Sequence, residues 1–276
     1  MKFKILVENK TDSSLVKAEH GLAVYIETQG KKILFDSGAS ELLIKNAEAM
    51  GVDLENVDFA VASHGHYDHT GGFPAFCRIN SKADIYIHKN AFRKSYALRK
   101  GTLTDVTAGI RWSDEELKEV SSRLIYTDSA EKINENIKIT GTIKKEKNFE
   151  PTERFFYYDD DGELAEDDMS HEQCLAIREE EGIYIFSGCS HRGAVSSLDA
   201  GRSMFPGEKV AAFIAGMHLY NSDEQKRREV VDVICSKDID KVIPVHCTGI
   251  DGICDFKNRL GDRCVAATAG YSFDGC

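Results

Sequence analysis

Apolar and polar residues alternate along the first third of the chain in a pattern that predicts β-strands and one helix. The strand-like apolar runs occupy residues 2–7, 22–27 and 32–35. A turn at Gln29-Gly30 separates the last two runs, which predicts an antiparallel start to a sheet. Residues 41–50 carry apolar side chains at helical spacing, and this helix is expected to end at Gly51.

A second set of elements surrounds a segment rich in histidine. Residues 57–62 form a short apolar run of strand type that leads directly into Ser63-His64. Residues 73–80 and 85–88 resemble a helix and a further strand, which completes a βαβ-like unit. The pattern therefore places the histidine-rich segment on the loop that follows a strand.

The pattern weakens in the middle of the chain and returns in the second half. We interpret residues 91–150 as an insertion over the mouth of the site, with a helix at 114–124 and strands near 123–126 and 137–143. The second half predicts strands at 173–178, 182–187, 210–215, 241–245 and 264–267 and helices at 195–202, 222–236 and 256–260. No linker or repeat divides the chain. One domain spanning residues 1–276 is therefore expected, with an α/β (α+β) fold in which two half-domains form a four-layer αββα sandwich.

Charge and composition narrow the class of partner. The chain has 276 residues, of which 42% are hydrophobic and 29% charged, as is typical of globular proteins. Its 35 basic and 46 acidic side chains give a net charge of −11, which disfavours nucleic acid as a partner. Much of the acidic excess lies in residues 150–168. We interpret this run as a solvated loop, because it lacks the ligand spacing of an EF-hand calcium site.

The start of the chain and its cysteines indicate the cytoplasm. Residues 1–7 have the pattern of a strand rather than a signal peptide, because charges interrupt the apolar residues. No apolar run approaches the roughly 20 residues that a membrane span needs. The eight cysteines form no CxxC pair, so reduced and mostly buried thiols are expected. We expect a cytoplasmic protein that acts on a small-molecule substrate without contacting a membrane, and a homo-oligomer is left open.

Four residues in the histidine-rich segment have the side chains of metal ligands. These are His64, His66, Asp68 and His69, whose imidazole nitrogens and carboxylate oxygens suit zinc, iron or manganese. Alternate spacing on an extended loop lets His64 and His66 face one metal ion. Asp68 and His69 can then turn toward a second ion a few ångströms away. The segment therefore predicts a binuclear metal site.

Residues 63–72, with the sequence SHGHYDHTGG, resemble the HxHxDH signature of the metallo-β-lactamase superfamily. Residues 35–38, FDSG, resemble the first motif of that superfamily, and GCSHRG at 188–193 and PVHCTG at 244–249 follow strands at the places of later ligands. The resemblance implies a metallo-β-lactamase-like sandwich with two divalent metal ions, zinc being favoured over iron or manganese. It also implies that Asp68 binds metal and orients a water molecule, and that Asp36 supports a metal-binding histidine.

Two further segments resemble one branch of the superfamily. AGMHL at residues 215–219 and EHGL at residues 19–22, together with GCSH and PVHCTG, are similar to dihydropterin-methyl-ribofuranosylaminobenzene phosphate synthase-like proteins. The branch implies a phosphorylated substrate of pterin type.

The later metal ligands are assigned on the same resemblance. His246 is the expected ligand of the metal ion that Asp68 and His69 bind. For the other ion, beside His64 and His66, we favour His191 over His171. The remaining candidates near the site are Cys189, His218, Cys247, His20 and His88.

The roles of these candidates follow from their positions. Cys189 stands where relatives often carry a bridging aspartate, so its sulfur is either a zinc ligand or an unliganded neighbour. His218 either contacts the substrate or is a hydrogen-bonded core histidine. Cys247 is expected to be buried and to point away from the site, as it would if the strand continued. His20 and His88 are expected to be structural or surface residues.

The function predicted from these residues is metal-dependent hydrolysis. Two metal ions would activate a water molecule for attack on a small ester, lactone or phosphoester. Two alternatives stay open: a synthase or transferase acting on a phosphorylated pterin-type substrate, and a non-catalytic metal-binding protein. No GxSxG motif suggests a serine nucleophile instead.

Overall fold

Two mixed β-sheets form the centre of the molecule in the computed structural model, which describes residues 1–146 and 149–275. The first sheet has the order β17-β1-β2-β3-β4-β5-β8. Its strands are β1 (Lys2–Val7), β2 (Ala23–Thr28), β3 (Lys31–Phe35), β4 (Phe59–Val61), β5 (Asp84–His88), β8 (Leu124–Thr127) and β17 (Ser272–Asp274). β1, β2, β3 and β17 pair antiparallel, whereas β3, β4, β5 and β8 are parallel.

The second sheet has the order β16-β15-β14-β13-β10-β9. Its strands are β9 (Glu131–Lys132), β10 (Ile137–Ile139), β13 (Leu175–Glu179), β14 (Gly182–Ser187), β15 (Val210–Gly216) and β16 (Ile239–Val245). β14, β15 and β16 run parallel, so the loops that follow them leave the sheet at the same edge. Parallel strands buried on both faces have nearly continuous apolar sequences, and all seven residues of β15 are buried.

Seven α-helices occur in the described residues. They are α1 (Leu42–Ala49), α2 (Tyr67–Thr70), α3 (Phe73–Ile79), α4 (Asp114–Ser121), α5 (Ala194–Ser203), α6 (Glu224–Ser236) and α7 (Gly249–Leu260). α1, α3 and α4 pack their apolar side chains on the outer face of the first sheet. α5, α6 and α7 cover the outer face of the second sheet. No helix in this part of the chain is both long enough and apolar enough to span a membrane.

A layer of apolar side chains lies between the two sheets. It includes Phe3 and Phe35 from the first sheet and Phe186 from the second, with ring centroids 5.7 Å apart for Phe3–Phe186 and 5.9 Å for Phe35–Phe186. With helices on both outer faces, the layers follow the order helix, sheet, sheet, helix. The predicted four-layer αββα sandwich is confirmed.

A small third sheet lies outside the two main ones. Its order is β12-β11-β6-β7, with β6 (Tyr96–Arg99), β7 (Thr102–Leu103), β11 (Phe155–Tyr158) and β12 (Leu164–Glu166). The acidic run 150–168, predicted to be a solvated loop, instead forms the β11–β12 hairpin, and that prediction is wrong. The aromatic residues 155–158 favour a strand. Most acidic side chains of the run nevertheless remain exposed, namely those of Asp160, Asp161, Glu163, Glu166 and Asp168.

The predicted insertion at 91–150 falls into two different parts of the structure. Its first part contributes β6 and β7 to the third sheet. Its later part contributes β8 to the first main sheet and β9 and β10 to the second, so residues 124–139 complete the sandwich rather than extend from it. Residues 147 and 148 lie outside the described residues. The single-domain assignment itself stays a prediction.

Two element predictions near the C-terminus need correction. The strand expected at 264–267 is absent, and Cys264 makes only an isolated bridge to Val242. The last strand is β17, which pairs with β1 of the other sheet. The helix expected at 256–260 begins earlier, at Gly249, because Ile253, Phe256 and Leu260 share one buried face.

The contact between the sheets can be tested at Phe186. This ring is fully buried against Phe3 and Phe35. Phe186→Ala should lower the free energy of unfolding by about 3–5 kcal/mol, because it removes apolar contacts and leaves a cavity. Urea denaturation measures this change. Leu15→Ala is the control, since Leu15 is 75% exposed and its loss should cost less than about 0.5 kcal/mol. Equal effects of the two substitutions would contradict the packing described.

Candidate metal centre

The histidine-rich segment lies at the end of β4, where the chain leaves the first sheet. His66 is the last extended residue before the short helix α2, which carries Asp68 and His69. The ring centroids of His64 and His66 are 4.6 Å apart, and those of His64 and His69 are 4.3 Å apart. The three histidines and Asp68 are buried. The backbone changes from extended at His66 to helical in α2. The side chains of Asp68 and His69 therefore leave the chain in a different direction from those of His64 and His66.

The second sheet contributes the loops that follow its three parallel strands. Cys189 and His191 follow β14, His218 follows β15 and His246 follows β16. Since parallel strands end at the same edge, these side chains meet the histidine-rich segment across the gap between the sheets. His191 lies 4.9 Å from His64, and His246 lies 4.9 Å from His69, measured between ring centroids.

The donor atoms form two groups that share one sulfur. In the first group, one ligand atom from each of His64, Cys189 and His191 lies within 4.8 Å of the others. In the second, His69, Cys189 and His246 meet the same limit. Asp68 adjoins the second group, with Oδ2 at 3.3 Å from His246 Nε2. His66 adjoins the first, with its ring centroid 4.6 Å from that of His191.

The Asp36 carboxylate holds the two groups in place from behind. Its Oδ1 accepts a hydrogen bond from Ser63 N at 2.7 Å, and its Oδ2 accepts from Ser63 Oγ at 2.8 Å and from His69 Nδ1 at 2.6 Å. Ser63 Oγ in turn lies 2.9 Å from His64 Nδ1. Because both histidines bond through Nδ1, their Nε2 atoms are left facing the cluster, as metal ligation requires.

His246 is held from the N-terminal segment. Asn9 Oδ1 accepts a hydrogen bond from His246 Nδ1 at 2.8 Å, which again leaves Nε2 for the cluster. The buried carboxylate of Glu8 accepts from His246 N at 2.7 Å. Sequence reasoning missed both residues. The available signal was a carboxylate and an amide placed directly after an apolar strand.

Several nitrogens of the cluster have no hydrogen-bond partner in the described part of the chain. These buried atoms are Nε2 of His64, His66 and His191, and Nδ1 of His218. Buried polar atoms are nearly always satisfied, so several unpartnered nitrogens on neighbouring rings are what a set of metal ligands would leave. Burial lowers the pKa of His66 to about 3 and also lowers the pKa of His64 and His191, which keeps these rings neutral. The donor set therefore fits metal ions.

His171, the alternative to His191, is turned away from the cluster. Its Nδ1 accepts a hydrogen bond from Gly65 N at 3.1 Å, and its Nε2 lies 3.7 Å from Asp167 Oδ2. The geometry favours His191, whose loop is fixed by Glu172. That buried carboxylate accepts from the backbone N–H groups of His191 at 2.6 Å and Arg192 at 2.7 Å.

Cys247 faces the site, and the prediction that it points away is wrong. The residue is buried as expected, but it lines the same cleft as Cys189, and its Sγ accepts from His218 N at 3.3 Å. The chain does not continue as a strand after β16. It turns through His246, which has φ +50°, into a 3₁₀ helix over His246–Thr248. Cys189, His218 and Cys247 form a further group of donors.

His218 and His20 both line the cleft, while His88 does not. His218 Nε2 lies 2.8 Å from Glu153 Oε2. Burial alone would lower the pKa of His218, but the nearby Cys247 and Glu153 raise it to about 10. A substrate contact for His218 stays a prediction. His20 Nε2 lies 3.1 Å from Asp68 Oδ2, so this exposed residue also contacts the site, as the resemblance of residues 19–22 to the branch favoured. His88 bonds to Thr142 Oγ1 and is structural.

The cluster forms the floor of an open cleft with a volume of about 550 Å³. Binding sites for small molecules usually have volumes of roughly 300–1,000 Å³. The opposite wall comes from residues 97–111 and from Glu153 and Phe155, which belong to the third sheet and the segment beside it. Two arginines, Arg99 and Arg111, reach into the cleft.

Comparison with known proteins agrees with this arrangement. The family model of the metallo-beta-lactamase superfamily matches residues 16–194. The chain belongs to the metallo-β-lactamase superfamily. That match includes the motifs at 35–38 and 63–72 and ends just after His191. The resemblance stated from the sequence motifs is therefore confirmed.

Individual relatives within the superfamily narrow the comparison. The 7,8-dihydropterin-6-methyl-4-(β-D-ribofuranosyl)-aminobenzene-5′-phosphate synthase of Methanocaldococcus jannaschii is 30% identical over 84% of this chain and 82% of its own. The crystal structure of Tm1679, described as a metal-dependent hydrolase of the β-lactamase superfamily, has 26% identity, a TM-score of 0.83 and coverage of 100% and 99%. Human tRNase Z, short form, has 13% identity, a TM-score of 0.54 and 99% coverage of both chains, which shows the shared fold alone.

The metal ligands can be tested by elemental analysis of purified protein. His66→Ala, His191→Ala and His246→Ala should each lose about one metal ion per chain, because each removes a nitrogen that faces the cluster. His171→Asn is the matched control, since the amide oxygen can still accept the hydrogen bond from Gly65 N. It should keep the wild-type metal content. Loss of metal from His171→Asn but not from His191→Ala would reverse the assignment.

Metal binding should also release protons. Although burial favours the neutral ring, the charges of Asp36 and Asp68 raise the pKa of His69 to about 9, so its Nε2 is protonated at pH 7. Ligation requires this proton to leave, as well as the thiol proton of Cys189, whose pKa burial raises. Calorimetric zinc titrations at pH 7 in buffers of different ionisation enthalpy should show the release of about two protons.

The same titrations separate the two sources of protons. Cys189→Ser should lower the number released by about one, and titration above pH 9 should remove the contribution of His69. Binding enthalpies that do not depend on the buffer would contradict ligation through these atoms.

Proposed function

We propose that the chain is a metal-dependent synthase that acts on a small phosphorylated substrate of pterin type. The observation that supports it is a buried donor cluster that opens into a cleft of about 550 Å³ containing two guanidinium groups. The archaeal synthase supports the substrate class, because the product in its name is a dihydropterin joined through its 6-methyl group to a phosphorylated ribofuranosyl-aminobenzene. A cleft of this size can enclose much of such a molecule.

The donor set suggests which ions the cluster holds and how. We propose two divalent ions, one held by His64, His66 and His191 and the other by Asp68, His69 and His246. Cys189 would contact both. Imidazole and thiolate ligands favour zinc, while iron and manganese remain alternatives. Divalent ions bound there would act as Lewis acids toward a substrate oxygen.

The side chains around the cluster then have separate tasks. Asp68 lines the cleft, and its Oδ2 is 3.1 Å from His20 Nε2. Although burial opposes it, the neighbouring His69, His20 and His246 hold the pKa of Asp68 well below its usual range, so the ionised carboxylate can bind metal and orient a polar group of the substrate or water. Asp36 is fully buried and acts as a positioning residue, since its carboxylate is hydrogen-bonded to Ser63 and His69. His218, fixed by Glu153, presents its other ring nitrogen toward the cluster.

Hydrolysis is the second candidate function. Tm1679, which shares 26% identity over the full chain, is described as a metal-dependent hydrolase. The same cluster would serve if Asp68 oriented a water molecule against a small ester, lactone or phosphoester. The two candidates differ in the nucleophile. In the synthase the aminobenzene nitrogen would bond to the 6-methylene carbon of the dihydropterin, the carbon–oxygen bond to its phosphate or diphosphate would break, and that group would leave as the amine loses a proton. In the hydrolase the nucleophile would be water.

Product analysis distinguishes the two reactions. Zinc-loaded protein is incubated with 4-(β-D-ribofuranosyl)aminobenzene 5′-phosphate and a 7,8-dihydropterin whose 6-hydroxymethyl group is esterified with phosphate or diphosphate. Mass spectrometry should detect the joined product. A chelator should abolish it, and Asp68→Asn should lower the rate about 100-fold or more, because the charged group that binds metal and orients the reacting group is lost. Glu163→Gln, at an exposed carboxylate, is the control.

Each other outcome changes the assignment. Release of phosphate or opening of a lactone without a joined product would replace the synthase by a hydrolase. No metal-dependent turnover of any of these compounds would favour a non-catalytic metal-binding protein.

A further inference from the structure

Arg111 occupies a fixed position on the wall of the cleft. Its Nε donates a hydrogen bond to Thr107 O at 2.9 Å. Its guanidinium carbon lies 3.5 Å from the centroid of the Tyr67 ring, which is close cation–π contact. Arg111 is exposed, but these two contacts restrict its side chain, and its two Nη atoms have no hydrogen-bond partner among the described residues.

The same segment is tied to the metal-binding motif. Tyr67 N donates to Ala108 O at 2.9 Å, and Trp112 Nε1 donates to Thr70 O at 2.9 Å. Both hydrogen bonds reach α2, the helix that carries Asp68 and His69. The position of Arg111 relative to the donor cluster is therefore set by contacts on both sides of it in the sequence.

Arg111 makes no ion pair with any described residue. Arg123, Arg202 and Arg263 also lack one, but none of these three lines the cleft. Arg78, Arg154 and Arg259 are each paired with a carboxylate on the surface. The chain carries a net charge of −11, so carboxylates are abundant. Three line the same cleft: Asp68 is engaged by histidines, Glu153 by His218 and Tyr220, and Asp105 is paired with neither arginine of the cleft.

We infer that Arg111 binds the phosphate group of the substrate through its two Nη atoms. A planar guanidinium donates two parallel hydrogen bonds to phosphate oxygens, a geometry that lysine cannot reproduce. Arg99 adds a second positive charge to the same cleft. Its side chain is 70% exposed, and its Nε lies 3.9 Å from Glu153 Oε1, which is a long ion-pair distance. The inference deepens the proposed function, since it assigns the residue that would recognise a phosphorylated substrate.

Phosphate binding is measured by calorimetry with inorganic phosphate and ribose 5-phosphate as probes. Zinc-loaded and metal-free samples are compared, because bound metal itself attracts phosphate. Arg111→Met should raise the dissociation constant about tenfold or more in both samples, since a hydrogen-bonded charge pair is lost. Arg111→Lys should recover less than half of the lost binding free energy. Acetate should bind more weakly than phosphate and depend less on Arg111.

Arg78→Met is the matched control. It removes an exposed guanidinium that is paired with Glu119 on the outer surface, and phosphate binding should not change. Circular dichroism and zinc content of each variant show whether the fold and the cluster are intact. Unchanged phosphate binding in an intact Arg111→Met variant would overturn the inference, and full affinity in Arg111→Lys would overturn the bidentate contact.

The binding experiment is independent of turnover. If phosphate binding depends on Arg111 but no joined product forms, the proposed reaction fails while the phosphate site stands. If product forms and Arg111→Met leaves phosphate binding unchanged, only the present inference fails. With an active enzyme, Arg111→Met should raise KM for the ribofuranosyl-aminobenzene 5′-phosphate more than it lowers kcat. This is expected because that phosphate is remote from the reacting atoms.

Discussion

The buried carboxylate of Asp36 is the point on which the candidate site depends. It accepts hydrogen bonds from the backbone and side chain of Ser63 and from His69, and so joins the end of β3 to the end of β4 and to α2. An unpaired buried carboxylate is very unfavourable, so these three donors are required together. Through Ser63 Oγ the same carboxylate also sets the orientation of His64. One group thus fixes a ligand of each proposed metal ion.

The two sheets meet closely at this carboxylate, and that approach requires a glycine. A Cβ on Gly188 would lie 2.0 Å from Ser63 Oγ and 3.2 Å from Asp36 Oδ2. Only glycine lets the loop after β14 pass so near the end of β4. The donors of the second sheet, Cys189 and His191, follow directly after this contact. The glycine therefore determines how far apart the donors of the two sheets lie.

Backbone strain is concentrated at the same edge of the sheets. Asp36, Ser190, His218 and His246 have φ between +48° and +57°, although none is glycine. Such conformations cost roughly 1–3 kcal/mol each and persist where the surroundings hold them. Two hydrogen bonds help to hold them: His246 N donates to the Glu8 carboxylate, and Ser190 Oγ donates to Gly216 O. These turns redirect the chain after each strand, and they explain why Cys247 faces the cleft when the alternation of a strand predicts that it points away.

The extent of prediction from sequence follows the range of the interactions involved. Regular strands and helices are predictable because their apolar residues repeat within a few positions. The motif at 63–72 predicts a metal site because its ligand-type side chains are close together in the sequence. Glu8, Asn9 and Glu172 could not be found in this way, since each acts on a residue far away in sequence or through a backbone N–H. The third sheet was missed for a related reason. Acidic residues flank its aromatic strand β11, so the sequence around it resembles a loop. The strand is recognised from its pairing with β6, which is distant in the sequence.

That third sheet has consequences for the chemistry as well as for the shape of the cleft. The Phe155 ring packs against both His66 and His191, with centroids 4.6 and 5.2 Å apart. Burial is the main reason that the pKa of these two rings is low, so an apolar side chain from β11 helps to keep them neutral. Glu153 lies two residues before β11, and its carboxylate is hydrogen-bonded to His218 and Tyr220. The superfamily sandwich supplies the donors, but their local environment comes from a hairpin outside it. Differences in this wall, rather than in the metal-binding motif, are where relatives with the same cluster can differ in substrate.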